Sequence, residues 1–548
     1  MRSPDDVLLR FPNRLRILLL LLPMAIGIWI LVTSMRQGPG VGGDAAIYIT
    51  SARNLLTGHG LGLINADGTF RLLPYFPPFY PLVLAALIGL GFSAETSAML
   101  INLACFGAAI LLLSWLIMKA SRSLAAGMLV GLLLAGSPIL IPAYSWAMSE
   151  PLSIFLIVVA FYLLHRSLIS DRLAALVGSA VLAGLSLLTR YSMAAGILTA
   201  CLIVLFIWRG SWKKRFLSAI IYGLIAAIPI GIWLVIDLRK TNTVASRNLL
   251  GNINLGSEIA RFFNQLKPLF LQWLLPDSFI SRMPGSVGLI VTLAILLVIG
   301  ISLICSLPAL SKGKDDLEDR NQTQILVFTY ALFFILYLLQ IMLVSVTTFP
   351  PITIGPRMVL PAAIAALMVV AVPVGHLFSQ KTLSSWIKWL ALTGLLLFAA
   401  YSGLRGVRIA RQNAIDGLGY NTVAWRNSQT IDYLASHTIS SDALVTNEET
   451  ALLYLLGRAS WPIREVYARE ADPVYYSYID PIDAEETDHG RELFQTGEAL
   501  LVVFDNFPDQ MADLYGSAAP ERVAALMKGL TPIFKGDDGV IYQMDSKP

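Results

Sequence analysis

The feature that most limits this chain is a succession of apolar runs, each about as long as a bilayer is thick. A hydrocarbon core of ~30 Å takes roughly 20 apolar residues of helix. Runs of that order recur at 16–35, 96–118, 124–142, 150–166, 172–189, 193–208, 214–236, 286–309, 323–346, 357–378 and 384–403. Lipid offers the backbone no hydrogen-bond partners, so such runs fold as helices. Composition agrees, with 56% of the 548 residues hydrophobic and 14% charged, against about 25% charged in soluble domains. A cytosolic globular protein, a coiled coil, a collagen and a disordered chain are excluded. The fold expected is an α-helical polytopic membrane protein of about 11 transmembrane helices plus a juxtamembrane helix, with a C-terminal extracytoplasmic α/β domain.

Basic residues set the orientation. Arg2, Arg10, Arg14 and Arg16 precede the first run, which places the N-terminus in the cytoplasm. The apolar stretch 78–92 is short and opens with Pro78 and Pro81. If it does not cross, Lys119, Arg122, Arg166, Arg172, Arg209, Lys213, Lys214, Arg215, Lys312, Lys314, Arg320 and Lys381 all fall on the cytoplasmic side. It is therefore read as a juxtamembrane or re-entrant helix. The first run resembles a signal peptide, but Val32–Arg36 offers no small-x-small cleavage site, so it is read as a retained anchor. The protein is expected in the cell membrane as a multi-pass chain, its C-terminal domain extracytoplasmic. The net charge of +4 is thinly spread and argues against nucleic acid. Cys105, Cys201 and Cys305 all lie in apolar runs and read as small buried hydrophobes.

Two domains are expected. Residues 1–405 form the membrane domain, with a first outer loop at 36–95 and a large outer loop at 237–285. Residues 406–548 form a soluble domain, where acids such as Asp432, Glu448, Glu449 and Glu470 become frequent. Within it, Ala443–Thr446 and Ala499–Phe504 read as buried strands, 449–457 and 521–530 as helices, and Ile533–Met544 as a hairpin.

The first outer loop is the most informative segment. Gly38-Pro-Gly-Val-Gly-Gly leads into Asp44, and Ala45, Tyr48, Ala52 and Leu55 then share one helical stripe, with Gly58 as a stop. The glycines read as a flexible approach. Alone, Asp44 reads as an N-cap and Tyr48 as a packing residue. Position adds a second reading, because a carboxylate at the membrane surface stays ionised while facing a lipid headgroup. Glu150, in Ser149-Glu150-Pro151, stands at another outer boundary; a carboxylate there caps a helix or faces a polar cavity.

The order of these features resembles the GT-C superfamily of polyprenyl-phosphate-dependent glycosyltransferases, nearest the bacterial branch of protein O-mannosyltransferases and the lipid A aminoarabinose transferase. The resemblance is carried by Asp44, Tyr48, Asn54, Gly58 and Gly60 in the first loop and by Pro77-Pro78-Phe79-Tyr80 beyond it. It continues in Ser149-Glu150-Pro151-Leu152, in Gly184–Tyr191 with Thr189-Arg190-Tyr191 at its end, and in Gly355-Pro-Arg357-Met-Val-Leu-Pro361. It covers residues 1 to about 405.

The resemblance implies an inverting transfer from a lipid-phosphate sugar on the outer face, with Asp44 as the catalytic carboxylate and Glu150 as its companion. An acceptor hydroxyl attacks the anomeric carbon while a carboxylate takes its proton or stabilises oxocarbenium charge. The leaving phosphate is already an anion, so a cationic clamp suffices. Arg190 and Arg357 are the candidates for that clamp, and Tyr48, Asn54, Tyr80 and Tyr191 complete the expected substrate-binding set. Arg53 falls on the opposite helix face from Asp44 and His59 in a surface loop. Arg239, Lys240, Arg247 and Arg261 of the large loop meet donor phosphates or lipid headgroups. No cofactor is required on this reading. A divalent cation would have only Asp44 and Glu150 as ligands, fewer oxygens than a hard cation takes. The partners are a polyprenyl-phosphate sugar, an acceptor that is protein, glycan or lipid, and membrane lipids.

Two other classes compete. A transporter or lipid-sugar flippase would use Asp44 and Glu150 as a coupling pair, but such acids sit near the midplane between repeated halves. An accessory protein needs only an anchor.

Overall fold

The computed structural model describes residues 12–73, 76–170, 172–208, 210–241, 248–249, 255–306, 319–349, 354–379, 384–439, 442–463, 492–493 and 496–544. From the N-terminus the helices are α1 (Asn13–Ser34), α2 (Gly43–Leu56), α3 (Phe79–Gly89), α4 (Ala94–Ser121) and α5 (Leu124–Ala135). There follow α6 (Glu150–Ser170), α7 (Leu173–Thr189), α8 (Ala194–Ile207), α9 (Trp212–Thr241) and α10 (Leu255–Gln272). The membrane part closes with α11 (Gly285–Ser306), α12 (Asp319–Thr347), α13 (Leu360–Ser379) and α14 (Ser385–Asp416). Among the described residues, eight helices are long and apolar enough to cross a bilayer. With the shorter α5, α7 and α8 they coincide with the eleven apolar runs.

The helix α3 is not one of these. Its 11 residues rise about 16 Å, roughly half the hydrocarbon thickness. It packs against α2 and α4 instead, which covers its backbone. The run at 124–142 departs from expectation, since it is not one helix. α5 ends at Ala135, because Pro138 removes a donor from the next turn. The break is also a crossing, where a Cβ on Gly136 would stand 2.5 Å from Gly403 Cα of α14.

The two ends of the bundle are fixed by contacts. At one end Thr323 of α12 donates to the Ala120 carbonyl of α4. At the other, the residues following α1 and α14 meet, with Val41 bridged to Gly419. α14 runs on to Asp416, eleven residues past 405, where the Gly417 N–H closes the helix on Asn413 O.

The C-terminal part holds a five-stranded sheet of β3 (Ala443–Thr446), β4 (Trp461–Pro462), β5 (Ala499–Phe504), β6 (Leu530–Lys535) and β7 (Gly539–Met544). Two short strands of the first loop, β1 (Gly62–Ile64) and β2 (Phe70–Leu72), pair separately. The sheet order is β4-β3-β5-β7-β6, parallel across β4, β3 and β5 and antiparallel beyond. Alternation along β3 and β5 sends Val445, Leu501 and Val503 into one core and Leu444, Val502 and Phe504 into the other. Ile431, Leu434 and Leu452 cover the second face, and Phe507, Met511 and Leu526 the first. The hairpin and both buried strands stand where the sequence places them. The sheet part rests on the loop end of the helical bundle, its helix Glu449–Leu455 lying against α2.

Candidate active site

Asp44 is the second residue of α2, and the N-cap is Gly42, extended at φ −132°. The N-cap reading of Asp44 is thus corrected. The carboxylate still lies in the first turn, where the helix dipole favours negative charge. The flexible reading of Gly38–Gly43 is corrected too. Gly40 and Val41 exchange backbone hydrogen bonds with residues 145–147 and with Tyr420, so the glycines serve close packing rather than freedom.

Three charged side chains from distant parts of the chain meet beside Asp44. Arg357 Nη2 lies 3.8 Å from Asp44 Oδ2 and its Nη1 lies 3.9 Å from Glu150 Oε1. Arg190 Nη1 pairs with the same Glu150 oxygen at 2.8 Å. The chain of charge grades from buried to open, since the side chains of Glu150 and Arg190 are 4% and 24% exposed and those of Asp44 and Arg357 both 44%. Burial works most strongly against the Arg190 charge, but Glu150, joined by Tyr48, Tyr337 and Asp44, outweighs it and lifts its pKa above the ordinary value. Glu150 Oε2 is buried with no hydrogen-bond partner.

Each member is held by its local structure. Arg190 is the extended C-cap of α7, where the chain turns before Tyr191–Met193. Arg357 belongs to the single turn Pro356–Val359, whose Met358 carbonyl accepts from Tyr337 Oη at 2.8 Å. Gln340 Nε2 donates to the Tyr191 carbonyl at 3.1 Å, and its Oε1 accepts from Ala195 N at 2.8 Å. α12 thus ties both arginine-bearing turns together through two polar side chains in an apolar helix. The sequence signal for this tie is Tyr337 and Gln340, polar groups three apart inside an apolar helix.

Tyr48 reaches the cluster through Ser149. The two hydroxyls are 3.3 Å apart, and Arg190 Nη1 donates to Ser149 Oγ at 3.3 Å. Tyr80 and Phe76 meet the Tyr48 ring edge-on at 5.2 and 5.0 Å. Burial pushes the Tyr48 phenol well above its ordinary range, against the pull of Arg190 and the Ser149 bond.

The remaining expected residues lie elsewhere. Asn54 Nδ2 donates to the Gly62 carbonyl at 2.9 Å, pinning β1 to α2. Tyr191 packs with Leu72, Leu188, Ile230 and Trp233 in a satellite core. Arg53 pairs loosely with Glu95, and His59 bonds to Thr57 on the surface. Arg261 pairs with Glu258 and caps the Ser345 carbonyl. Arg247, Pro74 and Tyr75 lie outside the described residues.

The arrangement fits a divalent cation poorly. Among the described residues there is no group of three or more His, Cys, Asp or Glu side chains placed to hold a metal. Asp44 and Glu150 have a guanidinium between them, and hard cations take six or more oxygens. What the cluster offers is two cations beside a half-exposed carboxylate, a geometry suited to an anionic group bound next to a group that loses a proton.

Residues 76–233 match the family model described as dolichyl-phosphate-mannose-protein mannosyltransferase. The chain superposes on the crystal structure of ArnT from Cupriavidus metallidurans bound to undecaprenyl phosphate with a TM-score of 0.53, at 15% identity over 95% of this chain and 97% of that one. It superposes on the archaeal oligosaccharyltransferase AglB from Archaeoglobus fulgidus, in complex with an inhibitory peptide and a dolichol-phosphate, with a TM-score of 0.51 at 13% identity. That alignment covers 96% of this chain and 74% of that one. No curated protein matches by sequence. The chain shares the fold of these two structures, as the resemblance read from the sequence implies.

Proposed function

We propose, on the premise of this fold and family match, that the protein transfers a sugar from a polyprenyl-phosphate donor to an acceptor hydroxyl on the outer face of the membrane. The observation that carries the reading is the ion-pair chain Asp44–Arg357–Glu150–Arg190, gathered at one end of the bundle from four separate segments. The structural relatives are described with undecaprenyl phosphate and with a dolichol-phosphate, and an isoprenoid phosphate is the donor headgroup two arginines would hold.

The chemistry follows from the charge gradient. Arg357 and Arg190 hold the donor phosphate, Arg357 from its exposed position and Arg190 from the buried one. As the anomeric carbon–oxygen bond breaks, charge grows on that phosphate, and fixed guanidinium donors stabilise it most at that moment. Asp44 takes the proton of the acceptor hydroxyl as that oxygen bonds to the anomeric carbon from the opposite side. One displacement inverts the configuration. Glu150 touches neither substrate; it pairs with Arg190 and helps to aim both guanidinium groups. No step is routed through a metal.

The N-terminus is cytoplasmic and the sheet domain extracytoplasmic on this reading, since Asp44 and the sheet domain share one end of the bundle. A flippase would need its acids at mid-depth, whereas Asp44 and Glu150 both stand in first turns. The test is to offer the purified protein a panel of radiolabelled polyprenyl-phosphate sugars and to compare it with Asp44→Asn. Transfer from one donor, lowered by about 10²–10⁴ in the variant with donor binding kept, is the expected result. Consumption of none of the panel by folded protein would overturn the proposal.

A further inference from the structure

Three backbone segments far apart in sequence meet just ahead of Asp44. Gly40 pairs in parallel with Trp146, and Val41 with Gly419. On one side Gly40 N donates to Ser145 O and Ala147 N donates to Gly40 O, both at 2.8 Å. On the other, Tyr420 N donates to Val41 O at 2.7 Å and Asn421 Nδ2 to Pro39 O at 2.8 Å. The Trp146 segment is itself anchored, because Asn102 Nδ2 donates to both the Tyr144 and Trp146 carbonyls, at 2.8 and 2.7 Å. The end of α1 joins in, with Ser34 Oγ 2.7 Å from Ser145 Oγ and accepting from Asn413 Nδ2 at 2.8 Å.

The Trp146 ring occupies the space that glycines leave. A Cβ on Gly40 would stand 2.5 Å from Trp146 Cδ2, and one on Gly42 3.0 Å from Cζ3. Gly419, at φ +57°, would place a Cβ 2.0 Å from the Val41 carbonyl oxygen and 3.0 Å from the same ring. No side chain is tolerated there without parting the segments.

We infer that Trp146 and the junction Gly417–Asn421 form a clamp that positions Asp44 against Arg357, so that the soluble domain's entry segment is part of the transfer site. The inference rests on the reading of Asp44 as the proton acceptor. The clamp ends three residues before Asp44, and the intervening N-cap, Gly42, has no side chain with which to fix the turn. The height and direction of the carboxylate are therefore inherited from the ladder. Arg190 and Arg357 keep a second anchor outside the clamp, since α12 bonds to the carbonyls of Tyr191 and Met358 beside them. Loosening the clamp moves the base and leaves the phosphate donors where they are. Trp146 and Asn421 are positioning residues, and their loss lowers kcat without raising the donor KM.

The test uses the full-length protein in lipid nanodiscs, with Trp146→Ala, Trp146→Phe and Asn421→Ala, and Asp44→Asn as the reference. Displacement of a catalytic group by about 1 Å costs on the order of 10²-fold. The expected result is kcat lower by roughly 10–100-fold in Trp146→Ala and Asn421→Ala, with donor KM unchanged. Trp146→Phe, which keeps a ring in the gap, recovers most of the rate. Amide exchange over residues 38–46 speeds up in the two alanine variants. Wild-type kcat in folded Trp146→Ala and Asn421→Ala, alongside an inactive Asp44→Asn, overturns the clamp and leaves the role of Asp44 standing. Equal losses of kcat and donor affinity overturn it as well, since they mark a general collapse of the site. Should Trp146→Ala not fold, Asn421→Ala decides on the same readouts. Retained transfer in Asp44→Asn would remove the premise and the clamp with it.

Discussion

Arg357 stands between two carboxylates and is tightly bound to neither, with Asp44 at 3.8 Å and Glu150 at 3.9 Å. A charge-assisted N–H···O bond closes to about 2.7–2.9 Å, so the guanidinium is oriented by the pair while its donors remain available. Arg190 is different, since its 2.8 Å contact to Glu150 is a full hydrogen bond. One arginine is set to engage an incoming anion, and the other is set in place already.

Arg357→Lys is therefore expected to weaken the donor more than the acceptor. Lysine keeps the charge but presents one ammonium in place of a planar fork, and cannot face two carboxylates and a phosphate at once. Loss of one charged hydrogen bond is worth about 1.5–3 kcal/mol, which corresponds to a donor KM raised roughly 10–100-fold. Initial rates against donor concentration measure it. A KM within twofold of the parent would place the phosphate elsewhere.

Glu150→Gln is expected to act on stability as well as on transfer. The carboxylate is 4% exposed and is the nearest partner of Arg190. Removing it leaves a largely buried guanidinium without its counter-ion, a class of change that costs about 3–5 kcal/mol. The thermal midpoint in detergent should fall. Glu150→Leu with Arg190→Leu should regain much of the stability while transfer stays lost, because a well-packed apolar pair replaces a buried ion pair at little cost. A midpoint unmoved by Glu150→Gln would show that water reaches the pair.

Asn54→Ala should separate packing from binding. Asn54 stands in the motif that suggested a substrate contact, but its amide is spent on the Gly62 carbonyl. The expectation is a stability loss of about 1 kcal/mol with donor and acceptor KM unchanged. A selective rise in either constant would return Asn54 to the site.

That contrast marks what the sequence could tell. Apolar run length located the long helices, because it is a local quantity matched to bilayer thickness. Alternation and the Gly536–Gly539 turn located β6 and β7 for the same reason. Asp44, Glu150, Arg190 and Arg357 could be singled out because a charge at a span boundary is conspicuous against its apolar neighbours. What could not be read was which backbone segments would lie side by side. Trp146 and Gly419 carry no local mark of their partners, and only the fold brings them to Gly40 and Val41 from more than a hundred residues further along the chain. The break at Gly136 escaped for a related reason, as the helix it makes room for lies more than 260 residues on, at Gly403.

Tyr48→Phe yields the pH prediction. The phenol is buried between Phe76 and Tyr80 and, among the described residues, has Ser149 as its hydrogen-bond partner. Burial raises its pKa above the ordinary 10.0, so in the folded protein it stays protonated where an unfolded chain would ionise. The sign follows by linkage. Below about pH 10 both states carry the proton and Tyr48 adds no pH dependence. Above it the unfolded state loses the proton and the folded state keeps it, so stability falls as pH rises. Phenylalanine cannot ionise in either state, and Tyr48→Phe should therefore lose stability less steeply than the parent between pH 9.5 and 11, by about one proton's worth of slope at most. Near neutral pH the variant should keep most of its transfer rate, since it forgoes a single hydroxyl contact worth about 1 kcal/mol. Thermal midpoints recorded across that pH interval for both proteins make the comparison, and parallel curves would mean that the Tyr48 hydroxyl is open to water.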